Sequence, residues 1–203
     1  DLVDWRPWES ATIVEAKELG KPILLSIGFL GSSGCKTMLR ESFFNESTAE
    51  VINSSFFPIK VDKASQPEIA KTYQIALQFL TRNPTGWPLT VFLDPENLMP
   101  FFGGTFFSEH ASQEVPAFRD LLLRITKSFE DQKKELTAQT LQLSENLAQL
   151  EIPQEDPRFT DDALLEACLD AIRRQFDSQN GGFGRAPKFL MAHRYRFLLE
   201  ARK

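Results

Sequence analysis

Little in this chain could staple it together or ligate a metal. Its 203 residues include only two cysteines, two histidines and two tyrosines. Cys35 and Cys168 lie far apart, which excludes a disulfide-stapled scaffold and fits a reducing, cytoplasmic setting. No apolar run approaches the roughly 18 residues that a membrane span needs, so no bilayer crossing is expected. Positive charge is in the minority, with 23 Lys and Arg against 28 Asp and Glu, a net charge of -5. That balance argues against a nucleic-acid groove or a contact with an anionic membrane. The first residue is Asp1, with no leader pattern at the start, so either the edge of a piece cut from a longer chain or a processed end is expected. Phenylalanine is what the chain has in excess: eighteen, with pairs at 43–44, 56–57, 101–102 and 106–107. Such pairs point to a dense aromatic core. At 42% apolar and 25% charged, the composition is that of a folded domain rather than a disordered or fibrous chain.

The first 110 or so residues alternate helix and strand signals. Residues 10–19 carry apolar positions at helical spacing, with Gly20 as the stop. KPILLSI, 21–27, is a short apolar run of the kind that forms a buried strand. A loop with three glycines and two serines, 28–34, leads to a helix from about Cys35 that places Met38, Leu39, Ser42 and Phe43 on one face. Ser47 with Glu50, and Ser65 with Glu68, have capping-box spacing. Between them, 56–62 is a second strand, where Pro58 favours its start or a bulge. A helix then runs to about Phe79. Strands over 89–93 and 98–103 flank the turn Asp94-Pro95-Glu96-Asn97 and should form an antiparallel hairpin. A parallel βαβ half followed by a ββα half predicts an α/β fold, a mixed sheet with helices on both faces.

From Glu114 the pattern is helical, as one long helix or two joined near 128–132, broken at Pro153 and Pro157. Helices over 160–176 and 190–202 flank a glycine-rich loop, 181–187. Cys168 shares a helical face with Leu164, Leu165, Ala171 and Ile172, which predicts a core position. The loop at 181–184 follows a helix and lacks Gly-Lys-Ser/Thr, so it does not read as a phosphate loop.

The place for chemistry is the first strand-to-helix junction, Ser32-Ser33-Gly34-Cys35, taken with Gly86-Trp87-Pro88 before the third strand. A helix N-terminus there favours an anion and would lower a thiol's pKa. Pro88, just before a β-run, is a candidate for a cis bond.

These residues also carry a resemblance. Val3-Asp4-Trp5 with Pro7-Trp8, Lys21-Pro22-Ile23, Arg40-Glu41-Ser42-Phe43, Ile59-Lys60-Val61-Asp62, Gly86-Trp87-Pro88-Leu89 and Gly181-Gly182-Phe183-Gly184 follow one another along nearly the whole chain. In this the chain resembles the family of spermatogenesis-associated protein 20 and its YyaL-type relatives. The resemblance implies a thioredoxin-like domain over 1–128 and a helical extension over 129–203 that begins an (α/α) toroid of a longer protein. It also implies Cys-His-Trp-Cys-His at the helix start, where this chain has Ser32-Ser33-Gly34-Cys35-Lys36.

Ser32 therefore stands where the attacking cysteine is implied. A helix terminus contributes at most ~2 kcal/mol, while each pKa unit corresponds to about 1.36 kcal/mol, so an alcohol stays protonated near neutral pH. The histidines, His110 and His193, lie in other segments and supply no base. Haem attachment through CxxCH and a Cys/His metal cluster are excluded by the same losses, and no cofactor is expected. Cys35 reads either as a lone reactive thiol or as a small hydrophobe packed one turn into the helix. Trp87 and Pro88 read either as a backbone edge for an extended peptide or as a packed tryptophan and rigid turn. Asp62 is expected to cap a turn. The expected function is a thioredoxin-like module with a degenerate site that binds a protein or peptide at the Ser32/Pro88 groove or supports its adjoining helical domain. The alternatives are a single-thiol redox protein using Cys35, and part of a carbohydrate-active enzyme whose catalytic domain lies beyond Lys203.

Overall fold

The computed structural model describes residues 2–111, 116–150, 161–186, 188 and 190–201. The expected breaks at Pro153 and Pro157 lie outside them. The chain divides into two compact units, Asp1–Ile152 and Pro153–Lys203.

The first unit runs α1 (Ser10–Leu19), β1 (Ile23–Gly28), α2 (Ser33–Met38), a π-helical turn (Leu39–Phe43), α3 (Glu46–Ser55), β2 (Phe57–Asp62), α4 (Pro67–Thr81), β3 (Leu89–Leu93), β4 (Pro100–Gly104) and α5 (Phe118–Leu150). Its four strands lie in the order β2-β1-β3-β4. β1 pairs in parallel with β2, and antiparallel with β3, which forms the expected hairpin with β4. This is the thioredoxin-like mixed sheet that the resemblance implied.

The strand period of two explains the layers. Ile23, Leu25 and Ile27 of β1 join Leu89, Val91 and Leu93 of β3 in one apolar core, closed by Ala16 of α1 and by Ala70, Tyr73 and Leu77 of α4. Leu24 and Phe92 face the other way, under Met38, Ile52, Phe118 and Leu122. The phenylalanine surplus is spent on this second face: Phe107 stacks on Phe118 with ring centroids 5.2 Å apart, and Phe43 meets Phe118 edge-on at 5.9 Å. Pro58 fits in β2 because the N–H it lacks would face the outer edge. There Arg6 pairs instead, donating its N–H to the Pro58 carbonyl and accepting from Lys60 N.

Two expected helix starts differ. Asn45, not Ser47, caps α3: its Oδ1 accepts from Thr48 N at 3.0 Å, and Ser47 Oγ donates to the same oxygen. The helix consequently begins at Glu46. At α4 no side chain caps Gln66, and Pro67 opens the helix with its preset φ. Helix α5 carries one non-helical residue, Gln132, at the edge of the junction expected near 128–132. Its second segment is tied to the hairpin turn, since Thr137 Oγ1 donates to Asp94 Oδ2 at 2.6 Å and Asn97 Nδ2 to Thr140 Oγ1 at 2.8 Å. The boundary expected after residue 128 thus falls within α5.

The second unit holds α6 (Asp161–Gln175) and α7 (Ala192–Glu200). Between them Asp177 accepts from the backbone of Gln179 and Asn180 and from Lys188, whose ammonium also reaches the Gly181 carbonyl. The Lys188 bond, then those from Asn180 and Gln179, hold the Asp177 carboxyl well below the usual carboxylate range. Cys168 corrects the expectation of a core residue: it is exposed. Leu164 and Leu165 on the same helix are exposed with it, because the described residues of this unit build no second layer over that face.

Candidate functional site

β1 ends at Gly28, and a short loop delivers the chain to Ser32, which caps α2. Its Oγ accepts from Cys35 N at 3.2 Å, satisfying one of the free N–H groups at the helix start. Gly34 follows in a tight place: a Cβ there would lie 3.1 Å from Pro88 Cδ and 3.2 Å from the Trp87 carbonyl. The Trp87–Pro88 bond is cis, as its place before a β-run suggested. Gly34 and Pro88 are therefore brought together, and Ser32 and Cys35 share one helix turn. Ser33 at the start of α2 is exposed.

Cys35 is a free, half-buried cysteine. Its sulfur packs against the backbone of Gly28, where a Cβ would stand 2.9 Å from Sγ. Trp87 is half-buried against the apolar core shared with α4, and the Lys63 ammonium sits 4.5 Å from its ring and 5.2 Å from that of Phe29. A lysine between two rings is a cation–π arrangement, worth about 0.5–1 kcal/mol where solvent reaches it. Asp62 is a turn residue as expected, with Oδ1 accepting from Ala64 N at 2.7 Å. Among the described residues, no group of His, Cys, Asp and Glu is placed to hold a metal ion, and no helix is long and apolar enough to cross a membrane.

Beside Cys35 lies a cleft of about 450 Å³ that sequence reasoning missed. The edge segment Trp5–Pro7, the ends of β1 and β2, α2 and the π-helical turn line it. Lys60 belongs to it, with Nζ 5.4 Å from the Trp5 ring, and partial burial lowers its pKa. The only sequence signal was polar residues interrupting two strand runs, Ser26 in ILLSIG and Lys60 in FPIKVD.

A mixed sheet in the order β2-β1-β3-β4 with helices on both faces is a thioredoxin-like fold, and the sequence comparison agrees. The family described as Thioredox_DsbH, protein of unknown function, DUF255, matches residues 1–148. The chain belongs to that family. It is 34% identical over 190 residues to human spermatogenesis-associated protein 20, covering 92% of this chain and 24% of that protein. It is also 34% identical over 197 residues to the uncharacterized protein B0495.5 of Caenorhabditis elegans, covering 97% and 26%. The resemblance read from the sequence is borne out, and the chain spans about a quarter of the length of these relatives. Among solved structures it is similar to a DsbH oxidoreductase, with TM-score 0.44 and 17% identity over 63% of this chain and 85% of that one. The fold assignment rests on the strand order and the family match rather than on that likeness.

Proposed function

We propose that this chain is a thioredoxin-like module that does not perform dithiol–disulfide exchange and that binds a peptide beside Pro88 or supports the adjoining part of a larger protein. The observation that supports this most is the Ser32 hydroxyl, occupied as the cap on Cys35 N. Exchange needs a thiolate to attack a disulfide sulfur and a second thiol to resolve the mixed disulfide. With oxygen at residue 32 the first role is empty, and a mixed disulfide formed at Cys35 has no sulfur beside it on the helix turn.

Insulin reduction driven by dithiothreitol tests the reading. The wild-type chain is expected to add nothing to the uncatalysed rate, and Ser32→Cys to accelerate it, because residue 32 caps the helix turn whose Gly34 packs on Pro88. Turnover by the wild-type chain would refute the proposal. No gain in Ser32→Cys would mean that residue 32 is not aimed for attack.

A second reading, Cys35 as a single redox thiol, is favoured by one observation: the half-buried side chain lines an open cleft. Under it, Cys35 forms a mixed disulfide with oxidised glutathione at a rate comparable to a small-molecule thiol. A sulfur that remains unmodified returns Cys35 to a packing role.

A further inference from the structure

The cleft beside Cys35 holds a polar group without a partner. Ser26 is 7% exposed, and its hydroxyl makes no hydrogen bond among the described residues. Among the described residues no fully enclosed polar side-chain atom is left unsatisfied, so this hydroxyl opens into the cleft that Ser26 lines. Buried polar groups are ordinarily paired. Ser26 stands directly across from Lys60 in the parallel β1–β2 register, neighbouring strands being about 4.8 Å apart. A hydroxyl-bearing and an ammonium-bearing side chain thus stem from one point of the sheet, on the same face, and both line the cleft, the Lys60 Nζ lying 5.4 Å from the Trp5 ring.

Around that point the walls are apolar: Met38, Leu39 and Phe43 above, Ile27 and Val61 at the strand ends. Leu39 and Phe43 bound the π-helical turn, closed by Phe44 N donating to the Leu39 carbonyl at 3.0 Å. Such turns recur at functional sites. Three cationic residues, Arg6, Lys36 and Lys60, line the cleft against one acidic residue, Asp62; Asp62 Oδ1 accepts from Ala64 N, and Arg6 is paired with Glu15. A volume of about 450 Å³ lies within the roughly 300–1,000 Å³ of small-molecule sites, which pair apolar walls with a few placed polar groups.

We propose that this cleft binds a small organic carboxylate with an apolar body, its carboxylate held between the Ser26 hydroxyl and the Lys60 ammonium and its apolar part against Met38, Leu39 and Phe43. The ligand would cover the sulfur of Cys35. This goes beyond the proposed function and does not require the loss of dithiol exchange, since occupancy and insulin reduction are read separately.

The test uses the full chain carrying Cys168→Ser, so that Cys35 alone reports, with decanoate, decanol and decylammonium as probes below their micelle concentrations. Decanoate is expected to slow iodoacetamide alkylation of Cys35 at least tenfold at saturation, decanol less, and decylammonium not at all. Ser26→Ala and Lys60→Met should each weaken decanoate protection several-fold while leaving the melting temperature nearly unchanged. Absence of protection by decanoate overturns the proposal. Equal protection by all three probes overturns the carboxylate assignment, and protection that survives both substitutions overturns the Ser26–Lys60 head-group site.

Discussion

Toward α1 and α4, β1 presents Ile23, Leu25 and Ile27, all fully buried in an apolar core. Toward α2 the same strand presents Leu24, then Ser26, then Gly28 against the Cys35 sulfur. The neighbouring strands repeat the contrast, with Val91 facing one side and Thr90 the other, Ile59 one side and Lys60 the other. One face is filled to hold the fold. The other is filled at its α3–α5 end by phenylalanines and left polar or empty at the end where α2 begins. The site sits where the strand pattern stops supplying apolar side chains, which ties it to the ends of β1 and β2 rather than to any motif alone.

The sharpest way to break this contrast is to truncate adjacent residues of β1. Leu25→Ala should cost roughly 2–5 kcal/mol, as lost burial plus a cavity, read as a drop in the denaturant midpoint at unchanged m. A loss below about 1 kcal/mol would mean that the filled face is not close-packed. Next in size is Gly34→Ala, where the new Cβ meets Pro88 and the Trp87 carbonyl. An overpacking cost of about 1–3 kcal/mol is expected by the same measurement. Ser32→Ala removes the cap on Cys35 N and should cost roughly 0.5–2 kcal/mol. No change would show that the cap contributes nothing. Ser26→Ala should stay within about 0.5 kcal/mol, since no hydrogen bond is lost. A cost like that of Leu25→Ala would erase the distinction between the faces.

The smallest effect is electrostatic. Burial lowers the Lys60 pKa in the folded chain below its unfolded value of 10.5. Between those two values the unfolded chain binds more protons, so stability should rise as pH climbs through that alkaline window. Lys60→Met should flatten the rise, with urea midpoints across alkaline pH as the readout. A rise that persists in Lys60→Met would assign it to another group.

Much of this was legible in the sequence because strands buried on both faces leave unbroken apolar runs. KPILLSI and LTVFL fall on β1 and β3, and Gly20 ends α1 in the left-handed conformation, with φ 62°. The juxtaposition of residues 32–35 with Pro88 followed from the strand-helix order and the family pattern. Caps were read less well, because a capping box and a nearby asparagine compete locally, and Asn45 took the bond from Thr48. Cys168 was misplaced because helical spacing shows an apolar face without showing whether anything covers it. The cleft escaped notice because Ser26 and Lys60 meet only through strand register, which neither run reveals by itself.

The central claim is that Cys35 has no sulfur partner, and peptide mapping without reduction after oxidation with glutathione tests it most directly. The account predicts that any disulfide at Cys35 in the wild-type chain is a mixed disulfide with glutathione, independent of Cys168. A bond between Cys35 and Cys168 would contradict it.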